Sequence, residues 1–68
     1  MERYREIFRE RRQAKGWSQY RMARELGTTQ SMVNAVETAR RSPSIEMFFR
    51  MCAILDIKVY LDKENIQL

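Results

Sequence analysis

Gln19-Tyr20-Arg21-Met22-Ala23-Arg24-Glu25-Leu26-Gly27-Thr28-Thr29-Gln30-Ser31-Met32-Val33-Asn34-Ala35-Val36-Glu37-Thr38 is the stretch that decides the fold. Within it Gln19, Ala23, Gly27, Val33 and Val36 stand at offsets 0, 4, 8, 14 and 17. A small residue at Ala23 lets two helices cross closely, and Gly27 permits a sharp turn at positive φ. Val33 and Val36 anchor the second helix in the core and leave its opposite face free. Ser18 and Thr29 are placed as N-caps of helices over Gln19–Leu26 and from Gln30 to about Thr38. Together these positions describe a helix-turn-helix. An ordinary helical hairpin in a small bundle is the plainer reading, and the charge of the chain weighs against it.

Working outward, the segment from about Glu2 to Lys15 has apolar residues at Tyr4, Ile7, Phe8 and Ala14, near one stripe at helical spacing. Glu6, Glu10, Arg5 and Arg9 are expected to form pairs along its exposed side. Gly16 is placed to end this helix in the left-handed conformation, with Trp17 packing back on its last turn. Downstream, Arg40-Arg41-Ser42-Pro43 reads as a loop, because the residue before a proline avoids helical geometry. Ser44 caps a fourth helix over Ile45–Leu55, whose core stripe is expected at Ile45, Phe48, Cys52 and Leu55. Met47, Met51 and Ile54 form a second apolar stripe that needs a cover. Beyond Asp56 the period changes: Ile57, Val59 and Leu61 alternate with Lys58, Tyr60 and Asp62, the pattern of a short strand. A lone strand must pair, either with Ile66–Leu68 in a hairpin or, as we expect, with a second copy across a two-fold axis. Residues 1–56 are therefore read as the main domain, and residues 57–68 as a dimerisation strand and tail. Met47, Met51, Ile54, Ile57, Val59 and Leu61 are the candidate dimer surface.

Composition narrows the function. A chain of 68 residues makes one domain with a small core, which favours a homodimer as supplementary support. Residues 1–41 carry ten Lys/Arg against five Asp/Glu, a net of +5, while residues 42–68 carry three against four, a net of −1. The sequence pI is about 9.7. A positive excess confined to the part holding the helix-turn-helix favours a polyanionic partner, nucleic acid before an anionic membrane surface. No apolar run is long enough to span a bilayer, and the first residues lack a signal-peptide core, so a cytoplasmic location is expected. One cysteine, Cys52, excludes an internal disulfide and reads as an apolar filler. The chain has no histidine, no nucleophile–base pair and no phosphate-cradling glycine loop. Neither an enzyme, nor a metal site, nor a cofactor is expected.

The first turns of the two central helices read Gln19-Tyr20-Arg21 and Gln30-Ser31-Met32, without an acid in either. Their amide donors are thus left beside amide and cationic side chains, suited to phosphates or base edges. Tyr20 is expected exposed near phosphate, and Arg21, Arg40 and Arg41 on the DNA backbone.

Lys15-Gly16-Trp17-Ser18-Gln19, the run Gln19…Ala23…Gly27-Thr28-Thr29-Gln30, and Arg41-Ser42-Pro43-Ser44 resemble the lambda-repressor-like (Xre/Cro) group of prokaryotic regulators over about residues 4–57. The resemblance implies an all-α domain of four to five helices, here with a short C-terminal β-strand pairing across a dimer. It implies that Gln19 contacts phosphate and braces its neighbour Gln30, that Gln30 reads adenine in the major groove, and that Ser31, Met32 and Asn34 also face the groove. It also implies a structural ion pair between Arg12 and Glu37. Two positions depart from the pattern. Thr38-Ala39 stands where an Asn-Gly turn is usual, and Ala35 where a longer polar side chain often reaches DNA. The tail, Phe48-Phe49-Arg50 with residues 55–62, resembles the HipB-type antitoxins, which implies a kinase-like toxin of HipA type as a further partner.

The expected function is therefore a regulator of transcription, a repressor that binds a palindromic double-stranded operator as a homodimer through Gln19, Tyr20, Arg21, Thr29, Gln30, Ser31, Met32, Asn34, Ala35, Arg40 and Arg41. The rival is a protein-interaction module with little direct DNA contact, for which the apolar stripe of the fourth helix would be the working surface.

Overall fold

A computed structural model describes residues 2–60 of the chain. Among them are four helices: α1 (Arg3–Ala14), α2 (Gln19–Leu26), α3 (Gln30–Glu37) and α4 (Ile45–Ile54). α2 packs on α3 and on α4, and α1 packs on α3, so α3 is held from two sides. The fold is all-α, as expected. Ser18, Thr29 and Ser44 each accept a hydrogen bond from a backbone N–H of the first turn that follows. A side-chain oxygen at that position satisfies a donor that the helix itself leaves open.

All four helices end alike. Each has a left-handed residue just past its last turn: Gly16, Gly27, Ala39 and Asp56, at φ +72°, +73°, +63° and +57°. In each case the next N–H reaches back to a carbonyl five residues earlier: Trp17 to Arg12, Thr28 to Ala23, Arg40 to Ala35 and Ile57 to Cys52, at 2.8–3.1 Å. The turn after α3 thus forms without the usual Asn-Gly, on an alanine that must adopt a conformation L-residues disfavour.

The core is Phe8, Met22, Ala23, Leu26, Val33, Val36, Met51, Cys52 and Leu55. Tyr4, Phe8 and Phe48 stack at its edge with ring centroids 5.2–5.4 Å apart. Three expectations are corrected here. Ala14 is exposed, and the buried face of α1 is Arg5–Phe8–Arg12 rather than a purely apolar stripe. Arg5 is therefore not a surface charge; it is 2% exposed. On α4, Ile45 is 57% exposed and Met51 is 1% exposed. The core face of this helix is thus Phe48–Met51–Cys52–Leu55, which removes Met51 from any dimer surface, because it is already covered within one chain. Ile45 and Phe49 lie on one uncovered flank of α4; Met47 and Ile54 are half-buried on the other.

Ile57–Tyr60 run on without regular structure in the single chain, Ile57 half-buried against the core and Val59 exposed. The strand pairing expected over Ile57–Leu61 involves a second copy and Leu61, which lies outside the described residues. No helix of the described residues is long and apolar enough to cross a membrane.

Candidate nucleic-acid interface

α2 and α3 pack together with Ala23 buried, and Gly27 turns the chain between them at φ +73°. The turn is fastened from α4, because the Arg50 guanidinium donates to the Leu26 carbonyl. Thr28 then leads to Thr29, whose hydroxyl accepts the Met32 N–H at 3.1 Å. The Thr29 hydroxyl thereby sets the direction of α3, while its own O–H stays available as a donor on an exposed residue.

α3 has eight residues and buries four of them, Val33, Ala35, Val36 and Glu37. Gln30 and Ser31 are exposed in its first turn, and Met32 and Asn34 are half-buried. Tyr20, at the start of α2, is 60% exposed. Two shallow concavities flank Ser31. One, of about 250 Å³, is lined by Gln19, Gln30, Ser31, Asn34 and Arg40. The other, of about 380 Å³, is lined by Thr29, Ser31, Met32, Ala35, Arg40 and Arg41.

Behind this surface a polar chain runs into the core. Arg12 donates from Nε and Nη2 to the two carboxylate oxygens of Glu37 at 2.7 and 3.0 Å, and from Nη1 to the Trp17 carbonyl at 2.8 Å. Gln19 Nε2 donates to Glu37 Oε1 at 3.1 Å. The Gln19 carbonyl then accepts from Asn34 Nδ2 at 3.3 Å, and the Asn34 carbonyl accepts from Arg40 Nη2 at 2.5 Å. Each group fixes the next: a carboxylate can only accept, so it turns the Gln19 amide N–H inward and its oxygen outward, and Asn34 follows.

A second buried guanidinium holds the other side of α3. Arg5 Nη1 donates to the carbonyls of Val36 and Arg41 at 2.6 and 2.8 Å, and Nη2 to Ser42 Oγ at 3.3 Å. Its Nε donates to Glu2 at 2.7 Å, and that hydrogen bond holds the Glu2 carboxyl down at about 2. Arg5 thereby locks the segment that carries Arg40 and Arg41. Among the described residues no buried side-chain polar atom lacks a partner.

Several expected roles change with this geometry. Gln19 hydrogen-bonds Asn34 and Glu37 rather than Gln30, although Gln19 and Gln30 line the same concavity. Ala35 is 7% exposed and lines a concavity, and its carbonyl accepts the N–H groups of Arg40 and Arg41. Arg21 pairs with Glu25 at 3.0 Å and lies over the Trp17 ring, which offsets its charge. Arg24, Arg40 and Arg41 have no carboxylate partner among the described residues. Sequence reasoning overlooked Arg24 and Arg5. The first is an exposed cation at i+4 from Tyr20, a spacing that was available to read; the second depends on carbonyls more than 30 residues away. Burial raises the Cys52 thiol above its ordinary value, in keeping with a packed and unreactive sulfur. No cluster suited to a metal ion occurs among the described residues.

Residues 8–61 match the helix-turn-helix family model. No curated protein and no solved structure matches the chain.

Proposed function

This chain belongs to the helix-turn-helix family of lambda-repressor-like DNA-binding regulators, and from that premise we propose that it is a repressor that binds a palindromic operator as a homodimer. The observation that carries the proposal is the asymmetry of α3. Its first turn exposes Gln30 and Ser31 with no acid nearby, while its last turn is buried against two arginines. Inserted N-terminus first into a major groove, such a helix offers Gln30 to adenine and Met32 to a thymine methyl, with Arg41 and Arg24 toward phosphates. Two copies are needed because one eight-residue helix reaches too few base pairs. The half-buried Met47, Ile54 and Ile57 on one flank of α4, and the exposed Ile45 and Phe49 on the other, leave apolar surface that pairing of two chains would cover. The antitoxin reading rests on a short resemblance at residues 48–50 and 55–62 to which no observation here adds, and we adopt the repressor.

Binding to duplex DNA at two salt concentrations tests the proposal. With about 6–10 phosphate contacts per dimer, affinity is expected to fall on the order of 10³-fold or more between 50 and 200 mM salt. A flat response would refute the phosphate contacts, and a monomer in sedimentation at tens of micromolar would refute the dimer.

A further inference from the structure

Arg40 and Arg41 are adjacent and equally charged, yet the structure gives them different surroundings. Ala39 at φ +63° turns the chain back over the end of α3. Arg40 consequently folds onto that helix. Its Nη2 donates to Asn34 Oδ1 at 2.5 Å and its Nε to Thr38 Oγ1 at 3.2 Å. Asn34 and Thr38 are one helical turn apart, so the guanidinium is gripped along one edge. Arg40 lines the concavity it shares with Gln19, Gln30, Ser31 and Asn34, whereas Arg41 lines only the outer one.

On the reading of α3 as the recognition helix, we infer that Arg40 is a specificity-determining residue that reads a guanine in the major groove, rather than another phosphate contact. The chemistry follows from the donors. A guanidinium has five N–H groups, and the two hydrogen bonds to Asn34 and Thr38 use two of them. An Nη1–H and Nη2–H pair remains parallel and free on the outer edge. That fork matches the two acceptors, N7 and O6, that guanine presents in the major groove. Anchors on α3 and at its C-cap also hold the long side chain in place before DNA arrives, which lowers the entropy lost on binding. The long reader missing from α3 at Ala35 is thus supplied from the following loop.

The experiment selects an operator from random duplex with the full chain, then compares the wild type, Arg40→Lys and Arg40→Ala on it. Lysine keeps the charge and loses the fork. The expected result is a guanine at one position per half-site, a preference that Arg40→Lys weakens by about 5- to 150-fold without changing the salt slope. Replacing that guanine with 7-deazaguanine should weaken the wild type and leave Arg40→Ala unaffected. A preference that survives Arg40→Lys, or an operator without the guanine, overturns the inference while leaving the DNA-binding reading in place. A wild type that binds no duplex overturns both.

Discussion

At its first turn α3 exposes Gln30 and Ser31, capped only by Thr29 and free of acids; at its last turn it buries Val36 and Glu37 between the guanidinium groups of Arg5 and Arg12. One end is left open to bind and the other is fixed to hold. The difference shows how a helix of eight residues, too short to be stable alone, is kept rigid enough to read anything. Its stability comes from Val33 and Val36 in the core shared with α2, and from α1 through charged side chains whose partners are a carboxylate and backbone carbonyls. The two ends should therefore respond to mutation in opposite ways: changes at the buried end alter folding first, and changes at the open end alter binding alone.

The largest effect is expected at the buried end. Glu37→Ala strands the Arg12 guanidinium and removes the acceptor for Gln19, and should cost about 3–5 kcal/mol, enough to unfold much of a domain this small. Thermal melts at fixed protein concentration check this, and a wild-type melting temperature would show that water reaches the pair. Arg5→Ala should follow at roughly 2–4 kcal/mol, since it leaves the Val36 and Arg41 carbonyls without their charged donor. Unlike Glu37→Ala, it also releases the segment carrying Arg40 and Arg41. Binding per folded molecule should therefore fall as well, and unchanged affinity of the folded fraction would separate the clamp from the DNA surface.

These two residues also mark how far the sequence could be read. Glu37 and Arg12 are legible only through resemblance to a family, because nothing in spacing pairs residues on different helices. Arg5 is not legible at all: an arginine among arginines and glutamates in a helix looks solvated, and its partners arrive from residues 36, 41 and 42. The caps at Ser18, Thr29 and Ser44 and the turn at Gly27 depend on contacts within a few residues, and the bounds of α2 follow from them directly. α4 was legible as a helix but not in its orientation. Nine of the eleven residues from Ile45 to Leu55 are apolar, so two stripes satisfy the same period, and only packing decides that Met51 enters the core while Ile45 does not. At the proposed DNA surface, exposure of Gln30 and Ser31 followed from Val33 and Val36 pointing inward. The turning of Arg40 back onto Asn34 did not, because it depends on an alanine in a glycine-like conformation.

At the open end the expected effect is smaller and of a different kind. Gln30→Ala should leave the melting temperature within error, since the side chain is exposed and makes no hydrogen bond among the described residues. It should lose about 1–3 kcal/mol of binding on the selected operator and relax preference at one base pair per half-site. Retained specificity would move the recognition surface away from the first turn of α3.

The smallest effect concerns the turns that bound α3 on either side, which share a geometry but not a residue. Gly27 precedes α3 at φ +73° and Ala39 follows it at φ +63°. An L-residue held in this region costs roughly 1–2 kcal/mol relative to glycine. Glycine in turn gives the unfolded chain extra freedom, which takes back about 0.4–1 kcal/mol. Ala39→Gly should thus stabilise the protein by about 0.5–1 kcal/mol, and Gly27→Ala should destabilise it by a similar amount. At Gly27 an added Cβ would meet only Arg50 Nη2, at 3.8 Å, an ordinary contact, so the cost there is conformational and the two substitutions form a matched pair. For a domain of this size each corresponds to a shift of roughly 2–8 °C in Tm, upward for Ala39→Gly and downward for Gly27→Ala. If Gly27→Ala falls as expected and Ala39→Gly does not rise, the turn after α3 has left the left-handed region in solution. Arg40 would then no longer be brought back over the helix, and the guanine preference assigned to it should disappear in the same protein.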